Sequence, residues 1–556
     1  MSRINRRKFL RHSAVIAISS AATAFSGRVA ALQHTDADLR ALTNSTSVAD
    51  IPLRHRDKLQ KIYSQRNYVP LWTKQGQVTQ TARAVIKRLE NASLLGLYPS
   101  NYYPKVLNKW VQDPNFNPQL EMVLTDSLWE YFDNLANGQT NEIPGDPAVW
   151  FARQSHTDID YNAMDFFNGN ASFGATIDRL QPVSQNYTNL LMALRDHYQI
   201  LAQGGYTPVP QGNGLQPGSV DPRVAKLRAR LAQSGDLPAG LSQSDIFDLN
   251  VDEAVKHFQQ RHGLEADGVI GSKTLAELNV PVQQRIAQIE INLDRWRWLP
   301  RDLGADHIVV NSAGFEMDVT LHNHRAIKMG VVVGKRKHRT PVFSDEMEHI
   351  VFRPSWNVPK SIAAKELLPK ELENPGHLDS RDFVVVSRAD QSSRPVSSLA
   401  THELEPSYFN STYRLRQKPG QINALGSVKF MFPNKHSIYL HDTNARHLFG
   451  KIKRAFSHGC IRVEDPDLLA RTLLQNDGKD EYEIDSILAD NSPKTVVLGD
   501  KIPVHLTYQT SWVDDTGRVQ FRADIYDHDK YAIGNYRSSR PEQANQESYV
   551  LSSLDF

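Results

Sequence analysis

Ala455-Phe456-Ser457-His458-Gly459-Cys460-Ile461-Arg462-Val463 contains the one cysteine of a 556-residue chain. A single cysteine forms no internal disulfide and makes a poor metal site alone. Two readings remain, a small buried hydrophobe or a nucleophile. The neighbours favour the nucleophile. His441 ends an upstream strand-like run, Ser437-Ile438-Tyr439-Leu440, nineteen positions before Cys460. A loop returning to that strand end brings the two together. A Cys–His pair at hydrogen-bond distance is expected to lower the thiol pKa from about 8.5 towards neutrality. Asp442, by its backbone carbonyl rather than its side chain, is expected to fix the imidazole tautomer.

Gly459 removes a Cβ beside the nucleophile and permits a tight turn. The N–H of Cys460, with that of Gly459 or His458, offers an oxyanion hole. Arg462 suits a substrate carboxylate. Each residue also has a plain structural role available: Arg462 in an ion pair, His458 orienting a loop, Asp442 capping a turn, Tyr439 in the core.

Around this site the chain changes period. Phe315, Met317, Val319 and Leu321 alternate as in a half-buried strand. Further strands are read at 327–333, 349–352, 383–386, 428–432, 438–441, 494–498, 504–507 and 519–525, with helices at 361–373 and 465–475. This predicts a β-rich domain over 304–530. Residues 357–420, read as one helix and much loop, form an inserted lid. Before it, 280–303 reads as a helix with the stripe Ile286, Ile289, Leu293 and Trp296. Residues 221–279 read as a three-helix module of marginal core size. Residues 32–220 read as a mainly helical domain ending in a Gly/Pro/Gln-rich linker. The fold class expected is multidomain α+β.

The ends differ in composition. Residues 1–31 hold six basic residues and no acid. The 64 basic residues less these six leave 58 against 62 acids, or −4, which argues against nucleic-acid binding. Asn5-Arg6-Arg7-Lys8-Phe9-Leu10, an Ala/Ser-rich run and Val29-Ala30-Ala31 read as a twin-arginine-type export signal, hence a periplasmic protein. An uncleaved signal is a possible membrane anchor. From 531 to 556 the chain is polar and aperiodic, expected to be disordered.

The pair of runs Ile438-Tyr439-Leu440-His441-Asp442-Thr443 and Ser457-His458-Gly459-Cys460-Ile461-Arg462-Val463 resembles the signature of L,D-transpeptidases with a YkuD-type catalytic domain. Asn292-Leu293-Asp294-Arg295-Trp296, Val333-Gly334-Lys335 through Thr340-Pro341, and Trp356-Asn357-Val358-Pro359 are similar to the large, periplasmic, YcbB-like branch. Ala254-Val255-Lys256-His257-Phe258-Gln259 through Asp267-Gly268, Gly271 and Thr274 resembles a common peptidoglycan-binding module. The resemblance implies a helical scaffold, a capping lid and a thioester mechanism without cofactor. By it Cys460 is the nucleophile, His441 the base and Gly459/Cys460 the oxyanion region. Tyr439, Asp442, Ser457, His458, Arg462 and Trp356 line the substrate site. Many relatives have Asn where Arg462 stands, though that branch usually has Arg.

The implied reaction joins a tetrapeptide stem to the diamino acid of another, giving a 3→3 cross-link and releasing D-Ala. Implied partners are these stems, the glycan wall through 221–279 and other wall-synthesis proteins; carbapenems are the implied inhibitors. Water or a protein as acceptor gives a carboxypeptidase or a protein-to-wall ligase. A zinc wall peptidase using His436, His441, His447, His458 and Cys460 lacks a His-Glu-x-x-His run. A non-catalytic wall-binding scaffold needs no intact Cys460, His441 and Gly459. Penicillin-binding chemistry is disfavoured, because Ser361-Ile362-Ala363-Ala364 lacks the required Lys.

Overall fold

The computed structural model describes residues 37–113, 117–140, 158–241, 243–530 and 532. The export-signal reading at 1–31 and most of the tail reading from 531 onward fall outside them. Among the described residues no helix is long and apolar enough to cross a membrane.

The chain divides into two compact units. The first, residues 1–139 with 155–182, is mainly helical where described, with two short antiparallel strand pairs, Ser47–Val48 with Ile51–Pro52 and Thr73–Lys74 with Gln77–Val78. Its central helix, Pro118–Asn137, starts on Pro at N1 with Asn117 capping Leu120 N–H. That helix carries a buried carboxylate, Glu121. It accepts from the N–H groups of Leu71 and Trp72, the Thr73 hydroxyl and the Tyr63 phenol. The aromatic turn at 68–72 is thus tied by its backbone to a helix fifty residues on.

The second unit holds the rest. The helix Gln185–Ala202 belongs here, so the segment read as one helical domain, 32–220, divides near residue 182. The reason is apolar: Leu190 and Leu194 share a buried cluster with Ile286, Ile289, Leu293 and Trp296 of the helix Val282–Arg297. Helices Arg223–Gln233, Leu249–Arg261 and Ser272–Leu278 enclose a separate core of Val224, Leu227, Leu231, Val255 and Phe258. Gln259 is its polar hub. Its amide donates to Asp267 Oδ1, Val269 O and Thr274 Oγ1, and accepts from Gly268 N–H. These motif residues therefore hold the module's own turn.

Eight strands close on themselves. Around the ring run Glu316–Leu321, His324–Gly334, Ile461–Val463, Leu440–His441, Val428–Met431, Phe343–Phe352, Lys494–Thr507, His307–Asn311 and again Glu316–Leu321. Closure leaves no free edge between these strands. The segments read as two strands, 494–498 and 504–507, are one strand with an irregularity between Val497 and Ile502. The barrel core includes Val310, Met317, Val331, Phe430, Leu440, Ile461 and Val504, covered by Leu469 and Leu473 of the helix Pro466–Asn476.

The 357–420 segment is more ordered than read. It builds an antiparallel sheet in the order Ser393–Pro395, Phe383–Ser387, Tyr413–Gln417, Trp356–Asn357, over its own core. Tyr413, Leu415 and Gln417 point inward while Arg414 and Arg416 remain partly exposed. That alternation is a strand pattern despite its arginines.

Candidate active site

Strand register assembles the site. Leu440 pairs with Ile461 and His441 with Arg462, in parallel. On the other side Lys429 pairs with His441 and Phe430 with Leu440. Leu440, Ile461 and Phe430 are wholly buried in the barrel core. Successive side chains alternate faces, so Tyr439, His441, Cys460, Arg462 and Lys429 share the opposite face.

His441 is buried, and its Nδ1 lies 2.5 Å from the Asp442 carbonyl oxygen. The ring therefore donates from Nδ1 and presents Nε2 as acceptor, the arrangement expected from the carbonyl. Burial, with the Arg462 charge next and Lys429 after it, lowers the His441 pKa to about 3 despite that hydrogen bond.

Cys460 is half-buried. Its sulfur lies 3.7 Å from the Ser437 carbonyl oxygen, and no hydrogen bond joins it to His441 among the described residues. Burial raises the thiol pKa; the Tyr439 N–H and hydroxyl, Lys429 and Arg462 act against it. The expectation of a thiol lowered by its histidine is thus corrected. The resting pair is a protonated thiol beside a neutral imidazole, because desolvation disfavours both charged forms. Asn434 shapes the loop behind the sulfur. Its Oδ1 accepts from His436 and Ile438 N–H, and its Nδ2 donates to Phe432 O and Ile438 O.

The turn before Cys460 is built by residues that the resemblance placed in the site, Ser457 at the substrate and Gly459 in the oxyanion region. Ser457 Oγ donates to Cys460 O (2.5 Å) and accepts from Gly459 N–H (3.1 Å). Its hydroxyl is spent on the turn, and so is the Gly459 amide. The oxyanion reading therefore narrows to Cys460 and His458, whose N–H groups have no protein acceptor among the described residues. Thr340 Oγ1 donates to Gly459 O at 2.8 Å and fixes the turn from the opposite side. Gly459 sits at φ +117°, and an added Cβ would lie 3.3 Å from Ile438 Cδ1. Gly459→Ala should cost about 1–3 kcal/mol in backbone strain and slow Cys460 alkylation. Thermal melts and iodoacetamide kinetics check this, and a wild-type alkylation rate would remove any need for glycine there.

Asp442 is likewise structural. Its carboxylate accepts from Ser427 N–H and Oγ, Thr443 N–H and Arg446 Nη2. His458 Nε2 faces Glu366 Oε1 at 2.6 Å and Lys335 Nζ at 3.2 Å. Glu366 belongs to the insert, so His458 links the insert to the turn that carries Cys460. Trp356 packs edge-on against Phe383 inside the insert (6.1 Å between centroids). Arg462 makes no ion pair among the described residues, and its buried Nε has no acceptor, which disposes of the structural ion-pair reading. Lys429, missed by sequence reading, places Nζ 3.8 Å from the Tyr439 ring centroid. Among the described residues no group of three or more His, Cys, Asp or Glu is arranged to hold a metal ion. A cleft of about 1020 Å³ separates the three-helix module, at Gln259 and Thr274, from the barrel at Lys335, Arg454 and Ala455.

Three stretches of the chain match known domain families, and the scaffold match runs across the division near residue 182. Residues 305–504 match the L,D-transpeptidase catalytic domain (YkuD), 57–194 a scaffold domain and 220–278 a "Putative peptidoglycan binding domain". A Haemophilus influenzae protein named "Putative L,D-transpeptidase" is 30% identical over 243 residues. That match covers 44% of this chain and 48% of the relative, so the chain spans about half of the relative's length. Among solved structures, an L,D-transpeptidase from Mycobacterium smegmatis is 13% identical, covers 36% of this chain and 58% of its own, and has TM-score 0.18. One from Stackebrandtia nassauensis is 12% identical, covers 54% and 96%, and has TM-score 0.20. The chain carries an L,D-transpeptidase catalytic domain of the YkuD type together with a peptidoglycan-binding domain.

Proposed function

We propose that this protein is a peptidoglycan L,D-transpeptidase acting through a Cys460 thioester, exported to the periplasm by residues 1–31. The observation that carries the reading is the His441 ring: Asp442 O holds Nδ1, and Nε2 is left as a base on the same sheet face as Cys460. On substrate binding the thiol turns from Ser437 O to His441 Nε2 and transfers its proton there. Sulfur attacks the carbonyl carbon of the third stem residue. The Cys460 and His458 N–H groups receive the oxyanion. The C–N bond to D-Ala breaks, and the amine leaves with the proton from His441. A side-chain amine of a second stem then attacks the thioester, gives up a proton through His441 and regenerates the thiol. Arg462, unpaired at rest, binds a stem carboxylate. The cleft beside the peptidoglycan-binding domain gives room for a glycan strand.

The test is incubation of residues 32–556 with disaccharide tetrapeptides, followed by mass spectrometry. A dimer lacking one D-Ala supports cross-linking. Only tripeptide product would move the reading to an L,D-carboxypeptidase, and no product would sink it.

A further inference from the structure

We propose that Lys429 is a positioning residue: it holds Tyr439 against the Cys460 sulfur and supplies the cation that stabilises the thiolate as it forms. This rests on Cys460 being the nucleophile. It concerns a residue on a strand outside the cysteine and histidine runs.

Register places Lys429 beside His441. Its neighbours Val428 and Phe430 are buried in the barrel core, so Lys429 must face the site. It is half-buried there. An ammonium in such a place is costly unless a counter-charge meets it. Among the described residues none does. Its recorded side-chain contact is the Tyr439 ring face at 3.8 Å, a cation–π arrangement. On its far side it is in register with Val351, which brings no charge. Asp442, the acid nearest His441 in sequence, is committed to Ser427, Thr443 and Arg446. The groups facing the sulfur are Tyr439, Lys429 and Arg462, with His441 on the same face; only Lys429 and Arg462 are charged at rest.

A cation left without an anion beside a protonated thiol becomes paired once the proton moves to His441. Lys429 thus favours the charge-separated state over the resting one. Through the Tyr439 ring it also orients the hydroxyl that faces the sulfur. Burial lowers the Lys429 pKa, and the Cys460 charge raises it, consistent with such coupling.

The experiment uses iodoacetamide, a neutral thiol reagent with no carboxylate, on the full chain across pH 5 to 11. For Lys429→Met, or Lys429→Gln if the first fails to fold, the Cys460 alkylation profile should shift to higher pH by about one unit, and the rate at pH 7 should fall about tenfold. Lys429→Arg keeps charge and ring contact and should restore most of the rate. Circular dichroism confirms folding in each case. Superimposable profiles overturn the proposal. So does an unchanged profile with a raised KM for tetrapeptide, which would make Lys429 a substrate-carboxylate ligand. Because the reagent is not a wall peptide, the result is independent of whether the protein cross-links stems.

Discussion

Cys460→Ala is expected to reduce turnover of disaccharide tetrapeptides by about 10⁴-fold or more, since loss of a nucleophile removes the covalent route entirely. In parallel, meropenem is expected to add its mass to the wild-type chain and to leave the Cys460→Ala variant unlabelled. The fold should survive. Cys460 is only half-buried, and the turn that carries it is held by Ser457 and Thr340 rather than by the sulfur. Loss of activity with an unchanged melting curve therefore reports chemistry and not unfolding. A variant with full turnover, or a wild-type reaction abolished by a chelator, would exclude the thiol route and revive the metal reading of the histidines. A meropenem adduct at any other residue would sink the site assignment.

Which parts of this site were legible in the sequence follows from how local each one is. Tyr439 and His441, and separately Cys460 and Arg462, share a face by strand alternation, visible in two short runs. The closed ring was not legible. It depends on pairings such as Val504 with Ile308 and Arg462 with Val332, whose partners lie far apart in the chain. Lys429 was invisible for the same reason, since only its pairing with His441 reveals it. An alternating strand ending beside the motif, with one lysine between Val428 and Phe430, was the available signal.

The resemblance put Ser457 and Asp442 in the substrate site, and in the fold both side chains are committed to backbone groups, because a polar side chain beside a motif looks the same whether it meets substrate or backbone. Gly459 N–H and Ser427 N–H settle that choice in the fold. In the insert, Tyr413-Arg414-Leu415-Arg416-Gln417 carries the alternation of a half-buried strand, a five-residue signal passed over among the loop residues around it. The thiol pKa was misjudged because spacing reports proximity, whereas burial decides which protonation state is stable.

His441→Gln should slow tetrapeptide turnover by about 100- to 10,000-fold, the usual worth of a positioned general base. The wild-type pH dependence is more discriminating. An unperturbed histidine would place an acid limb near pH 6.5. With His441 lowered to about 3 and the thiol raised, the thiol–imidazole pair persists across neutral pH, and kcat/KM should show no inflection between about pH 5 and 8. The same shift has a stability sign. Between about 3 and 6.5 the unfolded chain protonates His441 while the native chain does not, so the unfolded state binds more protons. Stability therefore falls as pH drops through 6.5 towards 3. His528, lowered to about 3, and His197, to about 4, both by burial, act in the same direction. His441→Gln removes one of these three and should gain Tm relative to wild type on going from pH 7 to pH 5. An identical Tm difference at both pH values, or a rate inflection near 6.5, would show that His441 titrates like a free imidazole and that the buried neutral base is wrong.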